Sequence, residues 1–105
     1  MPVKTISPRE LNQKIEQGKA PLLIDVREPA EHDAFNIGGK LIPLGNIQQM
    51  QFDEIENEKD SEIVVYCRSG MRSMQACLTL EAAGFTNVTN LNGGMLGWQE
   101  MQKNG

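Results

Sequence analysis

Ile63-Val64-Val65-Tyr66-Cys67-Arg68-Ser69-Gly70-Met71-Arg72-Ser73 is the stretch on which the fold turns. Ile63 to Tyr66 form a short, wholly apolar run rich in β-branched residues, which reads as a buried strand. Gly70 permits the backbone angles of a tight curl. Ser73 to Ala83 reads as a helix closed by Gly84, with Met74, Cys77, Leu78 and Leu80 to Glu81 supplying a mostly apolar face. Cys67 therefore sits where a buried strand ends and a helix begins, and α/β sheets bind their ligands at the carboxyl ends of strands.

Outward from this stretch, strands and helices alternate. Thr5-Ile6 reads as an edge strand. Ser7 then stands as an N-cap, with Pro8 at the first helical position and Glu10 completing a capping box. Leu11 and Ile15 have helical spacing, and Gly18 ends that helix. Pro21 to Val26 is another continuous apolar run, a strand covered on both faces. Pro29 to Ala34 reads as a short helix, and Lys40-Leu41-Ile42 as a weak strand stopped by Pro43. Ile47, Met50 and Ile55 line one or two helices between residues 44 and 60. Asn87 to Leu91 is the last strand, Gly93-Gly94 a turn, and Met95 to Gln102 a terminal helix carrying Trp98. This alternation predicts an α/β fold with a parallel sheet.

The 105 residues fit one domain spanning 1–105, large enough for a core without disulfides. The net charge of −4 argues against nucleic acid or an anionic membrane surface as partner. No apolar run is long enough to span a bilayer, and the first eight residues lack the apolar core of a secretory signal. The expected compartment is the reducing cytoplasm, which suits a free thiol. Two cysteines and one histidine make no zinc-ligand spacing, so neither a metal nor another cofactor is expected. Cys67 and Cys77, a loop and a point two helical turns along, are not expected to form a disulfide.

The charge around Cys67 opposes that of the chain. Arg68 and Arg72 flank it, and the main-chain N–H groups of Arg68, Ser69, Met71 and Arg72 are placed to converge on one spot. The helix that follows turns its positive end toward the loop. A thiol there is drawn toward thiolate, below its ordinary value of about 8.5, and a thiolate is a strong nucleophile toward sulfane sulfur. The persulfide so formed carries negative charge on its outer sulfur, which the same donors stabilise.

Three segments together resemble one family. Asp25-Val26-Arg27-Glu28-Pro29-Ala30-Glu31 is similar to the early signature of the rhodaneses, or single-domain sulfurtransferases. Cys67 with Gly70 and Ser73 is similar to their active-site loop and helix start, and Gly93-Gly94-Met95-Leu96-Gly97-Trp98 to their closing turn and tryptophan. The resemblance covers nearly the whole chain. It implies a twisted five-stranded parallel sheet flanked by helices, a three-layer domain. It also implies sulfur transfer through a persulfide on Cys67, from thiosulfate or another persulfide to a thiol or cyanide. One segment departs from the pattern. Many relatives carry Gly-His-Ile and then Gly-Ala before the third strand, whereas this chain has Phe35-Asn36-Ile37-Gly38-Gly39-Lys40 and is one residue shorter before Pro43. Asn36 replaces the histidine, and its amide can serve as the same kind of hydrogen-bonding group.

Loop length separates two chemistries. Related phosphatases and arsenate reductases on this fold place arginine six positions after the cysteine. Here that position is Ser73, and Arg72 comes one earlier. The smaller ring suits one sulfur atom better than a tetrahedral oxyanion. Arg68 and Arg72 are assigned to the anionic end of thiosulfate, and Ser69, Gly70 and Met71 to the remainder of the binding loop, with Met71 at its mouth. A low-turnover carrier role, receiving sulfur from a protein relay partner for cofactor or RNA thiolation, is the alternative, and phosphatase or arsenate reductase activity a weaker one.

Other residues have plainer readings. Cys77 reads as a buried small hydrophobe. His32 reads as a solvated surface residue. Asp25 caps a loop or orients Arg27, Arg27 pairs with Glu31 four residues on, and Ser73 supports the loop. Trp98 packs the last helix, and the acidic run Asp53 to Glu58 is a solvated surface.

Overall fold

The computed structural model describes residues 3–104; Met1, Pro2 and Gly105, part of the 1–105 span expected for the domain, lie outside the described residues. Five strands, β1 (Lys4–Ile6), β2 (Leu22–Asp25), β3 (Lys40–Leu41), β4 (Ile63–Tyr66) and β5 (Val88–Leu91), form one sheet in the order β1-β5-β4-β2-β3. Every pairing is parallel. Five helices connect or follow them: α1 (Pro8–Glu16), α2 (Pro29–Ala34), α3 (Leu44–Gln48), α4 (Met71–Ala82) and α5 (Gly94–Asn104), with a 3-10 turn over Asp53–Glu58.

β4 occupies the centre of the sheet and is buried throughout. Its side chains alternate. Ile63, Val65 and then Cys67 face a core with Ile47 of α3 and Ala76, Cys77 and Leu80 of α4. Val64 and Tyr66 face the other core, with Leu11 of α1 and Met95 and Trp98 of α5. The sheet is therefore a middle layer between α3/α4 and α1/α5, which is why its strands read as unbroken apolar runs. Trp98 packs α5 onto the sheet.

α1 starts as its sequence dictates. The Ser7 hydroxyl accepts from the Glu10 N–H, the Glu10 carboxylate accepts from the Ser7 N–H, and Pro8 opens the helix. Two expectations about apolar side chains need correction. Met50 is exposed, because α3 has already ended and Met50 itself turns the chain with φ +62°; Phe52 enters the core instead. Leu78 is also exposed. The buried face of α4 runs through Ser73, Ala76, Cys77 and Leu80, and Leu78 follows Cys77 by about 100° around the helix. Among the described residues, no helix is long and apolar enough to cross a membrane.

Candidate active site

Cys67 is the first residue beyond β4, buried and unpaired with Cys77. Gly70, at φ +104°, turns the chain and is the N-cap of α4, so the helix begins at Met71, two residues earlier than the spacing predicts. No side chain caps α4. Its free N–H groups instead reach the sulfur: the Gly70 N–H donates to Cys67 Sγ at 3.1 Å and the Ser73 N–H at 3.4 Å. Ser73 Oγ stands 3.3 Å from the same sulfur. Ser73, expected to support the loop, is thus a direct contact of the thiol. Burial pushes the thiol up, but the Ser73 hydroxyl, when its proton is turned to the sulfur, and the N–H groups of Ser73, Gly70 and Ser69 outweigh it and hold the thiol below its ordinary value. Cys77, deep in the α4 face without such donors, is pushed up to about 12 by burial.

The arginines find partners that local spacing does not reveal. Arg72 grips Glu31 with both terminal nitrogens, at 2.8 and 2.9 Å. Its guanidinium, assigned from sequence to the substrate anion, ties the cysteine loop to α2. Arg27 does not pair with Glu31, because it precedes the first turn of α2 and the i, i+4 geometry of a helix does not apply to it. It turns back onto Asp25, with Nε on Oδ1 at 2.9 Å and Nη2 on Oδ2 at 2.8 Å, and also donates to the Phe35 carbonyl. His32 is no free surface residue: its Nδ1 lies 2.8 Å from Asp25 Oδ2. Asp25 is fully buried at the end of β2, opposite Tyr66 in register. Burial raises its carboxyl, but Arg27 first and His32 second more than offset this and leave it below the usual range.

The Arg72–Glu31 pair makes stability depend on acid. Arg72, then the Glu28 N–H, lower the Glu31 carboxyl from 4.5 to about 2. A carboxyl depressed on folding contributes fully above its ordinary value and loses that contribution as pH falls through the folded one. The parent protein is therefore expected to lose stability between pH 4.5 and 2 more steeply than Glu31→Gln. Denaturant midpoints across that window measure the difference, and parallel curves would refute the coupling.

Next to the loop, Arg68 and Arg27 overlook a cavity of about 240 Å³ walled by Phe35, Met95 and Leu96. Met71, expected at the mouth of the loop, is largely exposed and does not line this cavity. The N-terminus of α5 locks onto the loop from behind: the Met95 N–H donates to the Cys67 carbonyl at 2.9 Å and the Leu96 N–H to the Arg68 carbonyl at 3.0 Å. The divergent segment also has a physical account. Asn36 donates to the His32 carbonyl and accepts from the Gly38 N–H, closing the end of α2. Gly39 packs tightly on Tyr66, since a Cβ there would lie 2.6 Å from the Tyr66 hydroxyl and force the ring to shift.

Sequence reasoning missed Asn90. This buried residue of β5 accepts from the Ser73 hydroxyl through Oδ1 and donates to the Gly70 carbonyl through Nδ2 at 3.1 Å. The signal was an amide inside a buried strand beside β4.

The whole is a three-layer parallel α/β domain with a donor-cradled thiol at the end of its central strand. The sequence matches the family model described as the Rhodanese-like domain over residues 7–101, and the chain belongs to that family. It is 40% identical over 106 residues to a putative sulfurtransferase, YtwF, of Bacillus subtilis, covering 94% of this chain and 93% of the relative. It is 36% identical over 100 residues to a probable adenylyltransferase/sulfurtransferase, MoeZ, of Mycobacterium tuberculosis, covering 94% of this chain but only 25% of that protein. Among solved structures, a rhodanese-like domain protein from Staphylococcus aureus superposes with a TM-score of 0.78 at 31% identity, covering 91% of each chain.

Proposed function

We propose that this chain is a sulfurtransferase that carries sulfane sulfur on Cys67. The observation that supports it best is the convergence of the Gly70 and Ser73 N–H groups on the buried Cys67 sulfur. The Cys67 thiolate attacks the outer sulfur of thiosulfate. A Cys–S–S bond forms, the sulfur–sulfur bond of thiosulfate breaks, and sulfite leaves with the electron pair. The outer sulfur of the persulfide is then taken by a thiophilic acceptor, cyanide or a thiol, and the thiolate returns. Neither half-reaction needs a metal or organic cofactor, and both run in a reducing cytoplasm.

The side chains around the sulfur favour this over phosphoryl chemistry. The sixth residue after Cys67 is the small, buried Ser73, and the Arg72 guanidinium is held by Glu31. Arg68, at the edge of the cavity, is left to steer the anionic end of the donor, with Ser69, Gly70 and Met71 completing the loop. Arg72 acts on the loop through Glu31, while Asp25 holds Arg27 at the cavity wall.

The test is intact mass after incubation with thiosulfate and removal of excess donor. The expected result is a gain of one sulfur atom, reversed by cyanide with release of thiocyanate. No gain with thiosulfate or with an organic persulfide would overturn the proposal. Formation of a stable adduct with slow release to cyanide would replace the enzymatic reading with that of a carrier that hands sulfur to a protein partner.

A further inference from the structure

The hydrogen bonds around Ser73 have only one consistent direction. The Gly70 carbonyl can only accept, so the Asn90 atom facing it is Nδ2, which donates at 3.1 Å. That places Oδ1 against Ser73 Oγ, and Oδ1 can only accept, so the Ser73 hydroxyl gives it its single proton. What remains of the hydroxyl toward Cys67 Sγ, 3.3 Å away, is a lone pair. The bond between them is complete only when the sulfur supplies the proton. We infer that Asn90 is a positioning residue for Cys67: by holding the Ser73 proton it presents an acceptor to the sulfur and keeps the resting cysteine in its protonated form against the pull of the loop amides.

Losing the thiol proton to solvent then forces a choice. Either the Ser73 hydroxyl turns its proton to the thiolate and leaves the buried Asn90 Oδ1 without a donor, or its lone pair faces a negative sulfur. Both disfavour the thiolate. Sulfur loading removes the proton from Sγ as well, so it too is coupled to the Ser73–Asn90 bond. The inference concerns the proton on Cys67 and does not depend on which compound the thiol attacks.

The loop does not rely on Asn90 alone. The Gly70 carbonyl also accepts from the Met74 N–H at 3.2 Å, within the first turn of α4. Removal of the amide therefore frees the Ser73 proton while this α4 tie to Gly70 remains. The other charged and titratable groups on the elements around the loop are Arg68 and Arg72 in the loop, Glu31 through Arg72, Asp25 with Arg27 at the end of β2, and Cys77 on α4. None of them changes in the variants below.

The experiment titrates the thiolate by its ultraviolet absorbance, and by the pH dependence of iodoacetamide alkylation, in the parent, Asn90→Ala, Ser73→Ala and the double variant. Asn90→Ala is expected to lower the Cys67 titration point by about one unit, giving roughly tenfold more thiolate at a pH below both values. The fall is expected to vanish in the Ser73→Ala background, where there is no proton to release. A merely structural role gives the opposite sign, because a loosened cradle lets the thiol drift up toward about 8.5. A rise or no change in Asn90→Ala, or a fall that persists without Ser73, overturns the inference. If Asn90→Ala lacks the circular dichroism of the parent, Ser73→Ala decides: its titration point stays or falls under this inference, and a rise of about one unit or more refutes it.

Discussion

Cys67→Ser is expected to yield a folded protein that neither gains sulfur from thiosulfate nor releases thiocyanate, with activity reduced at least about a thousandfold. The two side chains differ by one atom in a site where the surrounding N–H donors are set by the main chain. The bonds from α5 to the Cys67 and Arg68 carbonyls do not involve the sulfur, and a serine oxygen can accept from the Gly70 and Ser73 N–H groups that meet it. The fold is therefore expected to survive, with a melting temperature near that of the parent. The chemistry does not survive, for two reasons. A serine hydroxyl is not ionised near neutrality, and amide donors that hold a thiol below its ordinary value cannot bring an alcohol into range. An alkoxide would also form a sulfur–oxygen bond with the donor, in place of the proposed persulfide. Thiocyanate release and intact mass measure the loss. Turnover retained within tenfold of the parent would remove Cys67 from the reaction, and Cys77, buried at the α4 face with its thiol pushed up to about 12, offers no replacement.

What could be read from the sequence was what depends on near neighbours. The strand at Ile63 to Tyr66, the glycine curl, the helix after it and the Ser7–Glu10 capping box all follow from residues within a few positions of one another. What escaped depends on the order of strands. Arg72 meets Glu31 across 41 positions, and Ser73 meets Asn90 across 17, because the sheet order brings the ends of β2, β4 and β5 together. The one rule of local spacing applied to these charges, Arg27 with Glu31, failed because Arg27 lies before α2 rather than on it. His32, on α2 itself, escapes local reading in another way. Its sequence neighbours are polar, but the end of β2 places Asp25 beside its ring. The asparagine was visible in principle, since an amide in a buried strand needs partners on both its donor and acceptor sides, and the cysteine loop at the end of β4 carries polar groups that can supply them.

The second large effect is expected from Gly94→Ala, a change remote from the sulfur in chemistry but not in packing. Gly94 opens α5 at φ +55°. A Cβ at this position would lie 2.5 Å from the Cys67 carbonyl oxygen and 2.6 Å from that of Arg68. These are main-chain atoms, so no side chain can rotate away. They are also the acceptors of the Met95 and Leu96 N–H groups, so separating the two segments breaks the bonds that satisfy the start of α5. The left-handed conformation alone costs an alanine about 1–2 kcal/mol. With the displaced hydrogen bonds, the loss is expected to reach about 3 kcal/mol or more, a fall in melting temperature on the order of 12–24 °C. Sulfur loading is expected to fall as well, because the Cys67 and Arg68 carbonyls belong to the loop whose amides face the sulfur, and a backbone pushed on one side shifts on the other. Gly45→Ala is the matched control: its Cβ meets nothing within 4 Å, its backbone lies outside the left-handed region, and it sits in α3. That variant is expected to be unchanged or slightly more stable. Thermal unfolding of both glycine variants, with intact mass after thiosulfate, separates the cases. A Gly94→Ala protein as stable as Gly45→Ala would mean that the start of α5 does not brace the cysteine loop.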